Sequence, residues 1–307
     1  MAKVSVIVNC YNSEEYLREA LESINGQTYD DYEVVFIDNC STDNSAAIAK
    51  KFGDKLNYFK TTETIPLGAG RNYAIERCAG EYIAFLDCDD LWEKDKLATQ
   101  VKVMDENPNC SITMSNIYML NMADGTKTVA IGKDVKNILN LQEFAIDYEF
   151  GMSSFMVRKD TVMRMPFKFD ERLSYAEEYD FFMRLACMGE IRYTPDVLST
   201  YRVHKNMNSK KLKETIPGEY DVVRNNLINS CKSVEKDFPE LISYLLFLRD
   251  YTKTKICIEN KKNSEAREYI KPYIGKYKKA KAFYVFSLLP TVISQWLYKK
   301  YYSHKVV

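Results

Sequence analysis

Residues Glu81-Tyr82-Ile83-Ala84-Phe85-Leu86 form a run of strand-forming side chains that ends on Asp87-Cys88-Asp89-Asp90. No other stretch constrains the fold as tightly. A buried strand is an apolar environment, and carboxylates are costly there unless a cation pairs with them. Three acids at the tip of such a strand point to a hard divalent metal. Mg²⁺ and Mn²⁺ prefer oxygen ligands and often bridge carboxylates to a substrate's phosphates. The competing explanation is helix capping, with Asp89 or Asp90 at the start of a helix near Trp92-Glu93-Lys94.

The flanking periodicity sets the fold class. Strands are expected at 3–9, 33–38, 56–60 and 81–87, and helices at 13–25, 43–52, 70–78 and 94–106. The first helix carries Tyr16, Leu17, Ala20, Leu21 and Ile24 on one stripe, and Asn12 with Glu15 resembles a capping box. Asn107-Pro108 stops the last helix. Strands alternating with helices imply a doubly wound, largely parallel α/β sheet. Ligands bind such sheets beyond the carboxyl ends of the strands. Asn9, Tyr11 and Asn12, then Asp38 and Asn39, then Asp87 to Asp90 should converge there.

Past residue 110 the pattern changes. Residues 110–120 and 126–131 flank Asp124-Gly125, a hairpin signal, and 151–157 is a further strand candidate. A helix over 175–186 crowds Glu177, Glu178 and Asp180 into its first turn, where acids suit the helix dipole. A final strand at 197–203 leads to His204. Beyond it the chain reads as helical, so two domains are expected, 1–212 and 213–307.

Composition excludes several classes. With 43 basic and 43 acidic residues the formal charge is zero, which removes a global attraction to nucleic acid. The eight cysteines include no C-x-x-C pair, which speaks against a zinc or thioredoxin-like site and for a reduced, cytoplasmic chain. Lys3-Val4-Ser5-Val6-Ile7-Val8 enters a strand at once, so no signal peptide is expected. After Glu268 there is no acid, but lysine occurs at 271, 276, 278, 279, 281, 299, 300 and 305. The uncharged stretch 282–298 is barely long enough to span a bilayer, which takes ~20 mostly apolar residues, and it carries Pro290 and Gln295. It suits either the headgroup region of a membrane, through residues 276–305, or packing on the protein or on a second subunit.

Five blocks in order resemble the family 2 inverting glycosyltransferases, which have the GT-A fold. They are Val4 to Asn12, Phe36-Ile37-Asp38-Asn39-Cys40-Ser41-Thr42-Asp43, Gly70-Arg71-Asn72 with Ala79 to Asp90, Glu177-Glu178-Tyr179-Asp180 with Arg184, and Tyr201-Arg202-Val203-His204. Three positions depart from the family pattern. Asn39 replaces a second Asp, Cys40 replaces Gly, and Glu178 replaces the Asp of a Glu-Asp pair. The Gln-x-x-Arg-Trp motif of processive polysaccharide synthases is absent, which argues for transfer of one sugar at a time.

The resemblance implies a nucleoside diphosphate sugar as donor, UDP by default, and a glycan or lipid-linked glycan as acceptor in surface polysaccharide or glycoconjugate synthesis. It implies Mn²⁺ or Mg²⁺ held by Asp89, with Asp87 and His204 contributing. Asp38 would bind the base ring and Tyr11 stack on it. Asn9, Asn12, Arg71, Asp87 and Cys88 would complete the donor pocket. Glu178 would be the general base that deprotonates the acceptor hydroxyl, with Glu177 and Asp180 as rivals. Adjacent acids on a helix point about 100° apart, so only one of Glu177 and Glu178 should face the acceptor. A location on the inner face of the cell membrane and an oligomeric assembly are both compatible with this reading. The rival from another class is a catalytically inactive relative that binds lipid or protein through its basic tail. A dinucleotide dehydrogenase is disfavoured, because Gly68-Ala69-Gly70-Arg71-Asn72-Tyr73 lacks a third glycine and follows the third strand.

Overall fold

The computed structural model describes residues 2–131, 135–146, 148, 150–205 and 214–301. The chain divides into two compact units, residues 1–206 and 207–307. The expected domain boundary at 212/213 lies outside the described residues.

In chain order the first unit contains β1 (Val4–Cys10), α1 (Leu17–Asn25), β2 (Tyr32–Asp38), α2 (Ser45–Ala49), β3 (Leu56–Lys60), α3 (Leu67–Ile75) and β4 (Tyr82–Phe85). There follow β5 (Leu91–Trp92), α4 (Lys96–Glu106), β6 (Cys110–Asn121), β7 (Lys127–Val129), β8 (Ile138–Leu139) and α5 (Leu141–Ile146). It closes with β9 (Phe155–Arg158), α6 (Lys159–Arg164), α7 (Glu177–Ala186) and β10 (Glu190–Val203). The strand order is β3-β2-β1-β4-β9-β6-β10-β5, with β7 against β6 and β8 against β10. The first four strands are parallel, as helical crossovers require. β9 runs antiparallel between β4 and β6, so the sheet is mixed.

Register decides where the site lies. Cys10 pairs with Asp38 and Ile7 with Phe85, so β1, β2 and β4 leave the sheet at one edge. One face of the sheet packs Val4, Val6 and Val8 with Leu17, Leu21 and Ile24 of α1 and Leu97, Val101 and Met104 of α4. Elsewhere in the unit an aromatic cluster seats α7. Phe182 stacks on Phe155 at 3.8 Å, Phe181 stacks on Phe169 at 4.2 Å, and Phe85 meets both helix rings edge-on.

Several local expectations are revised. The capping box does not form: α1 begins at Leu17, and Asn12 sits in a loop with φ 47°. No helix starts at 92. Leu91–Trp92 pair with Thr200 and Ser199 of β10, and α4 begins at Lys96 after Asp95, so neither Asp89 nor Asp90 caps it. The strand expected at 151–157 is a 3₁₀ turn, Met152–Ser154, followed by β9. The strand at 197–203 is the second half of the longer β10.

The second unit contains α8 (Ile216–Ser230), α9 (Val234–Asp237), α10 (Pro239–Glu259), α11 (Asn263–Ile270), α12 (Lys278–Leu288) and α13 (Thr291–Tyr301). α10 packs against all the others in this unit. Among the described residues no helix is long and apolar enough to cross a membrane.

Candidate active site

The exits of β1 and β2 are zipped together by side chain–backbone hydrogen bonds. The Asn12 amide N–H donates to Ser41 Oγ at 3.1 Å, and Thr42 N–H donates to Asn12 Oδ1 at 2.8 Å. Ser13 N–H donates to Ser45 Oγ, and Glu14 N–H to Asp43 Oδ2. Asn12, expected on the donor, is tied into this seam. Tyr11, beside it, is 52% exposed.

Asp38 closes β2 from within the fold. It is fully buried, accepting from Tyr58 Oη at 2.5 Å and from Ser41 N–H at 2.8 Å. Two of the carboxylate's acceptor sites are thus taken by internal donors. The departures next to it have structural uses. Asn39 donates to Ile65 O and accepts from Ile65 N–H, a pairing that Asp could not complete because it has no N–H. Cys40 takes φ 58°, the left-handed region in which glycine is at ease.

The acids after β4 are divided among cations. Asp87 Oδ1 accepts from Arg71 Nη2 at 3.0 Å, and the other arm of Arg71 reaches Glu177 Oε1 at 3.0 Å. Arg71 thus joins the end of β4 to the first turn of α7. The Cys88 thiol is buried and contacts Asn9 O at 3.4 Å. All eight cysteines are free thiols. Asn9 Nδ2 donates to Leu67 O at 3.3 Å, and its buried Oδ1 has no partner among the described residues. Gly70 makes room for that amide: a Cβ there would lie 2.5 Å from Asn9 Nδ2.

Asp89 Oδ2 meets His204 Nε2 at 2.9 Å. Asp90 is buried, accepting from Ser153 Oγ at 2.6 Å and Arg202 N–H at 3.1 Å. Asp87, Asp89 and His204 were expected as one ligand set. Among the described residues no cluster of three or more acid, histidine or cysteine side chains is placed to hold a metal. Asp87 is turned to Arg71 instead. Asp89 with His204 still presents an oxygen and a nitrogen side by side, donors that Mn²⁺ accepts.

On α7 the three acids have different surroundings. Glu177 is buried against Arg71. Asp180 is fully buried and holds Arg184 at 2.6 Å, and Arg184 in turn donates to the carbonyls of Phe167 and Lys168. Asp180 therefore locks the loop before α7, and a sealed carboxylate cannot reach an acceptor. Glu178 is half-buried and in no ion pair among the described residues. Burial pushes its carboxyl up to about 8; Arg71 opposes the shift, and the Glu177 and Asp87 charges add to it. Burial also raises Asp87 against the pull of Arg71, and raises Asp90 strongly.

Three contributors were missed in the sequence. Ser153 donates to Asp90 and accepts from Asp87 N–H. Tyr16 lies with its ring 4.8 Å from His204. The Tyr148 ring is packed by Phe144, Phe150, Phe155 and Tyr179, and burial with the Glu178 charge holds its hydroxyl well above the usual range. None of these carries a motif. Ser153 lies inside the 151–157 strand candidate and Tyr16 on the stripe of the first helix, so position alone gave no sign of their roles.

The profile of the family described as Glycosyl transferase family 2 matches residues 5–164. An uncharacterized glycosyltransferase of Rickettsia typhi is 28% identical over 204 residues, covering 66% of this chain and 64% of that protein. The putative teichuronic acid biosynthesis glycosyltransferase TuaG of Bacillus subtilis is 36% identical over 126 residues, 40% of this chain and 49% of TuaG. The chain thus spans less than two thirds of either relative. Among solved structures, Staphylococcus aureus TarS 1–349 in complex with UDP-GlcNAc superposes with a TM-score of 0.63 at 19% identity, covering 97% of this chain and 92% of that one. The Pyrobaculum calidifontis mannosyltransferase PcManGT, in complex with GDP-Man and Mn²⁺, also gives 0.63, at 16% identity, covering 97% and 87%. The shared architecture is the GT-A fold.

Proposed function

Because the chain belongs to glycosyl transferase family 2, we propose that it transfers one sugar, with inversion, from a nucleoside diphosphate sugar to an acceptor hydroxyl. A UDP-sugar is the donor class that fits the TarS neighbour. A glycan or lipid-linked glycan of surface polysaccharide synthesis is the acceptor class that fits TuaG. The observation that carries the reading is the placement of Glu178 beside the Arg71-bridged acids, partly exposed while Glu177 and Asp180 are buried and held by guanidinium groups.

Tyr11, at the exposed exit of β1, stacks on the nucleotide base. Arg71 holds Asp87 in place at the end of β4 and carries positive charge toward the donor diphosphate. Asp89 and His204 would hold a divalent cation, which supplies neutralisation of the charge that grows on the departing diphosphate. Glu178 accepts the proton of the acceptor hydroxyl, making it a nucleophile toward the anomeric carbon from the face opposite the leaving group. A carboxyl with a raised pKa suits that step, because a stronger base takes the proton more readily. A lipid-borne acceptor would place the chain at the inner face of the cell membrane, with the basic segment 276–305 nearest the lipid; residues 302–305 lie outside those described.

The test is release of nucleoside diphosphate from a panel of UDP- and GDP-sugars with Mn²⁺, by the intact chain and by Glu178→Gln. Turnover of one donor that vanishes in the variant supports the proposal. Absence of both donor binding and turnover across the panel would sink it and favour a non-catalytic binding module.

A further inference from the structure

We propose that α12 and α13 form a hairpin whose tip inserts into the surface of an anionic lipid bilayer. This deepens the membrane part of the reading above without depending on the transferase chemistry.

The two helices fold back on one another. Phe283 and Tyr298, both buried, meet edge-on at 6.3 Å, and they lie on either side of the turn at Leu289-Pro290. The inner face is anchored on α10 and α11 by Ala280, Phe283, Ser287, Ser294 and Tyr298. The outer face of the tip is apolar and exposed. It comprises Val285 and Leu288 of α12 and Val292, Ile293 and Trp296 of α13, with Val292 at 78% exposure.

Part of the turn's backbone is satisfied from within the protein. Arg267 Nη2 donates to Ser287 O at 2.9 Å, and Asn263 Nδ2 donates to Leu289 O at 3.0 Å. Pro290 O accepts from Ile293 N–H and Ser294 N–H. Open carbonyls at a helix end ordinarily turn to water. Here the Ser287 and Leu289 carbonyls are bonded by α11 side chains, which lowers the cost of bringing the turn to a lipid interface.

Charge identifies the partner. Lys278, Lys279 and Lys281 open α12, Lys299 and Lys300 close α13, and all five are exposed. From Leu288 back to Lys281, and from Val292 on to Lys299, the helical rise is about 10 Å, so an immersed tip sets the lysines at headgroup depth. No acid occurs in the sequence from Tyr269 to the last residue. Trp296, with Lys300 Nζ 4.9 Å from its ring, sits between the apolar tip and the basic base, where an amphipathic ring is favoured.

The chain carries its own reporter. Of its two tryptophans, Trp92 is buried with its indole N–H bonded to Ser153 O, while Trp296 is exposed on the tip. The full chain is mixed with phosphatidylglycerol-containing vesicles and, separately, with phosphatidylcholine vesicles. We expect co-sedimentation and a blue shift of tryptophan emission with the anionic vesicles only. Val292→Asp should abolish the blue shift, and replacing Lys299 and Lys300 by Gln should weaken binding about fivefold per lysine at low salt. Both changes fall on exposed side chains, so circular dichroism should remain that of the parent. Three results would each overturn the proposal: no vesicle binding, binding insensitive to Val292→Asp, or self-association in the absence of lipid that Val292→Asp disrupts, which would make a second copy the occupant. Vesicle binding without donor turnover would leave this inference standing and count against the transferase reading alone.

Discussion

Arg71 Nη1 lies 3.0 Å from Glu177 Oε1, with side chains only 4% and 5% exposed, although 106 residues separate them in sequence. This pair pins the first turn of α7 to α3, the helix that precedes β4 and its terminal acids. Removing one partner of a buried ion pair leaves an uncompensated charge and costs about 3–5 kcal/mol. Arg71→Ala is therefore expected to lose that much stability in urea denaturation. Adding Glu177→Gln should recover part of the loss, because it removes one of the stranded carboxylates.

Glu178→Gln should reduce transfer by about 10²–10⁴-fold, the ordinary worth of a positioned general base. Donor affinity should stay within about twofold in calorimetry, because a base that meets the acceptor adds nothing uniform to donor binding. Normal turnover in this variant would remove Glu178 from the role.

The raised carboxyl of Glu178 has a second consequence. Its ordinary pKa is 4.5 and its folded value about 8, so between these the folded state holds the proton more tightly than the unfolded state. Stability from this group is present at low pH and is lost as pH rises through about 8. Thermal unfolding should show Glu178→Gln melting about 2–4 °C above the parent at pH 9, for each kcal/mol of relieved penalty, and level with it near pH 4. Transfer should move oppositely, rising with pH as the base ionises.

Asp38 and Tyr11 separate support from binding. Asp38→Ala should cost about 1–3 kcal/mol of stability, by stranding the Tyr58 hydroxyl and the Ser41 amide. Tyr11→Ala should leave stability unchanged and weaken donor binding by about 1–3 kcal/mol, the usual worth of one base–aromatic stack.

Asp89→Asn and His204→Ala should each weaken nucleotide binding in the presence of Mn²⁺ and have little effect in its absence. Calorimetry showing equal binding with and without the ion for the parent chain would defeat the metal assignment.

Much of the first unit was readable from periodicity because its strands are short, apolar and separated by amphipathic helices. β1, β2 and β3 lie within two residues of their expected places. What misled were residues whose local preference is overridden by a distant partner. Asn12 reads as a helix cap, but the β2 exit lies closer and takes its side chain. Trp92 reads as the start of a helix, but β10 offers it a ladder.

Residue type and order along the chain determined the parallel strands, the acids at the tip of β4 and the acidic first turn of α7, since each is a local consequence of pattern. Which acids stay open to a ligand was decided only in three dimensions. The guanidinium of Arg71, 106 residues away, neutralises Glu177, Arg184 one turn along α7 neutralises Asp180, Tyr58 and Ser41 enclose Asp38, and Glu178 is left partly exposed with a raised pKa. Charge and burial at one carboxylate depend on every neighbour within a few ångströms, and sequence spacing carries no record of those neighbours.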